Sequence, residues 1–151
     1  MLRLFIGQTA IGQIKNELRL FPKGETGGVI LGWRFPLFWV AVRTTTSGKQ
    51  SRHEKSRFIM SEEETSNEVA FCRKQFRFPI SAIGYWHKHN HEGCRFSEED
   101  QRTNNQFAEL SPCGTVSILA AVSEPGKAKL HAFHITQSGI IRKCRVSLLA
   151  F

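Results

Sequence analysis

The sequence predicts one α/β domain, a mixed β-sheet flanked by helices that spans residues 1–151. Three observations lead there. Strand-like and helical segments follow one another in the order β, α, β, β, α, β, α, β, β, β. No internal repeat, low-complexity tract or linker divides them. A chain of 151 residues with 40% hydrophobic content is long enough to bury one core of useful size.

The elements can be justified in turn. Residues 2–6 alternate as a strand does, and Thr9 then offers an N-cap to a helix with apolar positions at Ile11, Ile14, Leu18 and Phe21. Pro22 and Gly24 stop that helix. Residues 26–33 and 37–43 are rich in Val, Ile, Leu, Trp and Phe around a break at residues 34–36, which predicts a hairpin of buried strands. Residues 44–55 are polar, carry Gly48 and are read as an exposed loop. Ser61 followed by Glu64 makes a capping-box signature for a helix running through Val69, Cys72 and Phe76 to Pro79. Acidic residues open this helix and Arg73 and Lys74 close it, as the helix dipole prefers. A strand over residues 80–87 precedes a helix from about Glu98 to Leu110, ended by Pro112 and Gly114. Residues 116–122 and 128–135 read as strands joined by a turn through Pro125 and Gly126, and a last strand covers residues 140–149.

Composition narrows the function classes. No apolar run approaches the roughly 18 residues of a membrane span, and the first seven residues are too short for a signal-peptide core, so a cytoplasmic protein is expected. Cys72, Cys94, Cys113 and Cys144 are scattered without a Cys-x-x-Cys pair, which argues for free thiols over a disulfide framework or a cysteine-rich zinc knuckle. The net charge of +8 invites a nucleic-acid reading. The basic residues are dispersed and no nucleic-acid motif accompanies them, so a solvated basic surface or an acidic protein partner is the favoured account.

Residues 87–100 hold the densest set of candidate ligands in the chain, His-Lys-His-Asn-His-Glu-Gly-Cys-Arg-Phe-Ser-Glu-Glu-Asp. On a strand, His87 and His89 project from one face and can meet one metal ion. Asp100 is the natural third ligand, because two imidazoles and a carboxylate leave a tetrahedral zinc with one open position, as a catalytic site requires. In isolation Ser97 and Asp100 read as the N-cap and third residue of a helix, a role compatible with ligation. His91 is assigned to solvent or to contact with a ligand, since a fourth protein ligand would close the site, and Cys94 is not assigned as a nucleophile. His53, His131 and His134 are assigned to structure or surface, and Tyr85 and Trp86 to core and cleft wall. Gly27 and Gly28 have two readings, close strand packing or an approach for substrate backbone beside residues 27–32.

The spacing His87-x-His89, seven residues, Ser97-x-x-Asp100 resembles the signature of the JAMM metalloproteases of the MPN domain superfamily. That family carries a catalytic glutamate upstream, before a strand of small and apolar residues, and Glu25 here precedes Thr26, Gly27, Gly28, Val29, Ile30, Leu31 and Gly32. Two positions depart from the pattern: many members have Ser or Thr between the histidines and Pro after them, where this chain has Lys88 and Asn90. Lys88 is expected on the opposite strand face from the histidines, affecting packing or a partner contact. Asn90 leaves the following loop less constrained than Pro would.

The resemblance implies a JAMM/MPN-like, cytidine-deaminase-like fold of the compact bacterial type and the roles of its site. His87, His89 and Asp100 would hold Zn2+, Glu25 would act as general base and then general acid, and Ser97 would hydrogen-bond the oxyanion. The implied activity is hydrolysis of a peptide or isopeptide bond at the C-terminus of a ubiquitin or ubiquitin-like protein. Bacterial relatives belong to conjugation systems with activating and conjugating enzymes, some serving antiphage defence. Processing of a sulfur-carrier adduct, a non-catalytic MPN scaffold and nucleic-acid binding are the alternatives. A zinc deaminase is disfavoured because its His-x-Glu and Pro-Cys-x-x-Cys pattern is missing, although Pro112 and Cys113 are adjacent.

Overall fold

The computed structural model describes residues 1–55, 57–89, 95–124 and 126–150. Its first strand, β1 (Arg3–Gly7), buries Leu4 and Ile6 and runs directly into α1 (Gln8–Leu20). Here the expected start is corrected: Gly7 occupies the N-cap position without a side-chain cap, and Thr9 is exposed inside the first turn. Ala10, Ile14 and Glu17 form the buried face of α1, and bringing Ala10 onto the sheet requires helix immediately after the strand.

The hairpin of β2 (Gly27–Arg34) and β3 (Phe38–Thr44) forms as expected, antiparallel. Residues 44–55 are not wholly an exposed loop. Thr45 and Ser47 are buried, and β4 (Arg52–His53) pairs with β5 (Phe58–Ile59) in a small separate sheet. Next comes α2 (Glu62–Lys74), capped by Ser61, whose hydroxyl accepts from the Glu64 N–H. The Glu64 carboxylate does not complete the box; it accepts from Gln50 N–H at 3.0 Å. β6 (Ser81–His89), α3 (Glu98–Glu109), β7 (Thr115–Glu124) and β8 (Lys127–Ile135) follow. The expected turn at Pro125 lies outside the described residues.

The last expected strand is two: β9 (Ile141–Lys143) pairs with β8, and β10 (Arg145–Leu149) pairs in parallel with β1. These are opposite edges of one eight-stranded sheet, ordered β10-β1-β3-β2-β6-β7-β8-β9. Only Cys144 separates them, and Cys144 N–H donates to Ala132 O at 2.8 Å while Arg145 N–H donates to Leu2 O at 3.1 Å. The sheet therefore curls until its two edges meet, which continuous pairing of residues 140–149 to one neighbour would prevent. The pairing is mixed: β1–β3, β1–β10 and β6–β7 are parallel, and the remaining pairs are antiparallel.

Two apolar clusters cover the sheet. One joins α1 to Leu4, Ile6, Ile30, Trp39 and Trp86, and the other joins α2 to Val29, Leu31, Val42 and Ile80. Among the described residues the three helices flank the sheet, and none is long and apolar enough to cross a membrane. The β2–β6 register sets Gly27 opposite His87, which carries Glu25 to the end of β6 where both histidines project.

Candidate metal centre and its cleft

Alternation along β6 sorts its side chains. Trp86 and Lys88 turn toward α1, while Tyr85, His87 and His89 turn toward α3. The start of α3 supplies the third group. Ser97 Oγ accepts from Asp100 N–H at 3.1 Å, and Asp100 Oδ2 accepts from Ser97 N–H at 2.8 Å, a complete reciprocal capping box. The cap thus fixes Asp100 with its carboxylate facing the end of β6: Oδ1 lies 3.3 Å from His87 Nε2 and Oδ2 lies 3.1 Å from His89 Nε2. The two Nε2 atoms are 2.8 Å apart.

The group His87, His89 and Asp100 could hold a metal ion, since their ligand atoms all lie within 4.8 Å of one another. Zinc–ligand bonds of about 2.0–2.1 Å in a tetrahedron separate neighbouring ligand atoms by about 3.3 Å. Each imidazole lies about that far from one oxygen of the Asp100 carboxylate, Oδ1 for His87 and Oδ2 for His89, so ligation through a single oxygen needs a small turn of the carboxylate, and the imidazole pair needs to open by about half an ångström. The protonation states fit as well. Burial holds His87 below its ordinary range against the opposing pull of Asp100, which favours the neutral imidazole that a zinc ligand needs. Burial works to raise Asp100, but hydrogen bonds from His87, His89 and the Ser97 backbone outweigh it and hold the carboxyl well below the carboxylate range. His87 Nδ1 is buried without a hydrogen-bond partner among the described residues. The ring is oriented by stacking on Tyr85, centroids 5.4 Å apart, and Tyr85 stacks in turn on Phe107 of α3. His91, Cys94 and Asn90, each weighed in the sequence analysis, lie outside the described residues.

Glu25 lines the same cavity, which has a volume of about 1040 Å³ and is walled by Tyr85, Phe96 and Phe107 and by residues of the β4–β5 hairpin. Its backbone is held by that hairpin: Glu25 N–H donates to Glu54 O at 2.7 Å, and His53 Nδ1 donates to Glu25 O at 3.0 Å. The His53 ring also lies flat on Phe21, centroids 3.5 Å apart. Burial pushes the Glu25 carboxyl up to about 7; His89 opposes the rise, and Asp100 and Glu99 add to it. A carboxyl poised near neutrality can both accept and release a proton. Ser97 also lines the cavity; its hydroxyl accepts from Asp100 N–H, and its own proton meets no acceptor among the described residues.

The fold is shared with a solved structure. The solution structure of protein DSY2949 from Desulfitobacterium hafniense superposes with a TM-score of 0.74 at 19% identity, covering 98% of this chain and 94% of that one. No family model and no curated protein matches the sequence.

Every candidate the sequence nominated for the site, Glu25, His87, His89, Ser97 and Asp100, borders this one cavity. Trp86 is fully buried in the core and Tyr85 forms cleft wall. His134 Nε2 donates to Cys113 O at 2.7 Å, away from the cavity lining. One expectation needs correction, and two open readings resolve. No strand can be added beside residues 29–32, because β2 is interior to the sheet: β6 pairs with one edge, and β3 with Thr45 takes the other. Gly27 and Gly28 serve close packing, as a Cβ would come within 2.4 Å of Trp86 O and of Thr45 O respectively. Lys88 lies on the face of β6 opposite the histidines, as expected, and of its two readings the packing one holds, since it is 1% exposed. Sequence reasoning missed the part His53 plays. The Phe21 ring it stacks on and the Glu25 carbonyl it holds lie far upstream in sequence and gave no local signal.

Proposed function

We propose that this chain is a zinc-dependent hydrolase of the JAMM/MPN type, cutting a peptide or isopeptide bond at the C-terminus of a ubiquitin or ubiquitin-like protein. The observation that carries the reading is the convergence of His87, His89 and Asp100 on one point of a cavity whose wall holds a carboxyl, Glu25, with a pKa of about 7. Two imidazoles and a carboxylate suit zinc by ligand type, and three ligands leave room for chemistry. Bound zinc supplies Lewis acidity, polarising the scissile carbonyl and acidifying water.

The chain's own residues do the rest. Glu25 takes the proton from attacking water and returns it to the departing amine, as a carboxylate bordering the same cavity as the ligands can. Ser97 donates its hydroxyl proton to the developing oxyanion while the capping box fixes its position. Asp100 stays anionic throughout. Phe96, Phe107 and Leu110 give the cleft an apolar wall for an extended tail. Since β2 is paired on both sides over residues 29–32, the tail is held by this cleft and not by strand addition there. Activating and conjugating enzymes of a bacterial ubiquitin-like system, including antiphage systems, are the proposed partners in the cytoplasm.

The test compares a ubiquitin-like fusion with a carrier-protein adduct as substrates for the zinc-loaded protein. Cleavage of the fusion after the last residue of the ubiquitin-like protein supports the reading, whereas turnover of the adduct alone reassigns the protein to sulfur-carrier processing.

A further inference from the structure

Lys88 sits between two candidate ligands and is among the largest fully buried side chains of the chain. Its ammonium donates to three backbone carbonyls, Phe21 O at 2.6 Å, Pro22 O at 3.1 Å and Gly24 O at 2.9 Å. Three N–H donors thus meet three acceptors, which offsets the heavy cost of removing a cation from water. The Lys88 backbone N–H donates to Thr26 O at 2.8 Å. One residue therefore grips the chain immediately before and immediately after Glu25. From the other side the β4–β5 hairpin holds the Glu25 N–H and carbonyl.

This arrangement exceeds what helix termination needs. A cation near the end of α1 would satisfy the dipole from the surface. Here it is buried on the strand that carries His87 and His89, so β6 controls two things at once: the imidazoles on one face and, through Lys88 on the other, the segment bearing Glu25. Resting on the hydrolase reading above, we propose that Lys88 is the positioning residue of Glu25. Its ammonium, bonded to the Phe21, Pro22 and Gly24 carbonyls, sets the Glu25 carboxylate against the His87, His89 and Asp100 group.

The test is Lys88→Met, whose apolar side chain has similar length and no donors. With a cleavable ubiquitin-like fusion, kcat falls by about tenfold or more and KM stays within about twofold, the signature of a misplaced group and not of lost substrate binding. The absorption spectrum of the cobalt-substituted protein is unchanged, because the ligands are untouched. Amide exchange quickens over residues 21–26 while Ile83 to Trp86 stay protected. In a Glu25→Gln background Lys88→Met costs no further rate. Unchanged kcat and exchange, or a kcat loss with an altered cobalt spectrum, overturns the assignment. A variant that does not fold leaves a measurement on the wild type: a slowly exchanging Lys88 ammonium signal with cross-peaks to residues 21–24 is expected, and a rapidly exchanging one overturns the tether. Wild-type protein without hydrolytic activity overturns the hydrolase reading and Lys88's role with it, whereas an active wild type with a normal Lys88→Met variant overturns Lys88's role alone.

Discussion

Glu25 shows how one residue's surroundings set its chemistry. A solvated glutamate is too weak a base at neutral pH, and burial beside Asp100 and Glu99 brings this one to about 7. Glu25→Gln keeps the shape and removes the proton carrier, so cleavage is expected to fall by a factor on the order of 10²–10⁴ while zinc stoichiometry, read by elemental analysis, is unchanged. Undiminished turnover would remove Glu25 from the mechanism. The same shift makes a stability prediction for the metal-free protein. Because the folded-state value lies above the ordinary 4.5, the folded state favours the neutral acid, and wild type loses stability relative to the variant as pH rises from about 4.5 to 7. The advantage of Glu25→Gln over wild type in chelator-treated protein should therefore grow across that window, as followed by denaturant midpoints; a difference independent of pH contradicts the shift. Neither Glu25's environment nor Lys88's bonds could be read from sequence. The charges acting on Glu25 and the carbonyls held by Lys88 belong to segments far away along the chain.

At the scale of elements, the start of α3 serves two purposes that substitutions can separate. Ser97→Ala removes both the cap and the hydroxyl donor, so about 1 kcal/mol of stability and a factor on the order of 10²–10³ in kcat should be lost together. Ser97→Asp keeps a good cap without a hydroxyl donor. Its thermal midpoint should stay near wild type while its rate falls as far as that of the alanine variant; recovery of rate with the cap would contradict the oxyanion role. Packing of β2 against β6 makes a different prediction. Gly27→Ala places a methyl group 2.4 Å from Trp86 O and should destabilise by about 1–3 kcal/mol in denaturant unfolding. The capping box was legible because its parts lie three residues apart, and β6 because its alternation is local. The β4–β5 hairpin was not, since strands of two residues show no period. The start of α1 was misplaced for a related reason: its boundary is set by how Ala10 and Ile14 reach the sheet and not by a capping residue.

For the molecule as a whole, the sheet brings together residues that the sequence keeps apart. Element types and the mixed sheet were legible in the order of hydrophobic periods, whereas the curl that joins β9 and β10 around Cys144 depends on pairing across nearly the whole chain. The interior position of β2 was hidden for the same reason. The candidate ligands come from the end of β6 and the start of α3, so an ion bound there ties together two parts of the molecule that share no strand pairing. Zinc at 1,000 times its dissociation constant should stabilise the fold by about 4 kcal/mol, seen as a raised thermal midpoint that His87→Ala abolishes. The central claim is that these residues form a zinc-dependent hydrolytic centre, and cleavage of a ubiquitin-like fusion before and after chelation tests it most directly. Cleavage that is lost with the chelator and restored by about one equivalent of zinc per chain is the predicted result. Cleavage indifferent to the chelator, or none by fully zinc-loaded protein, contradicts it.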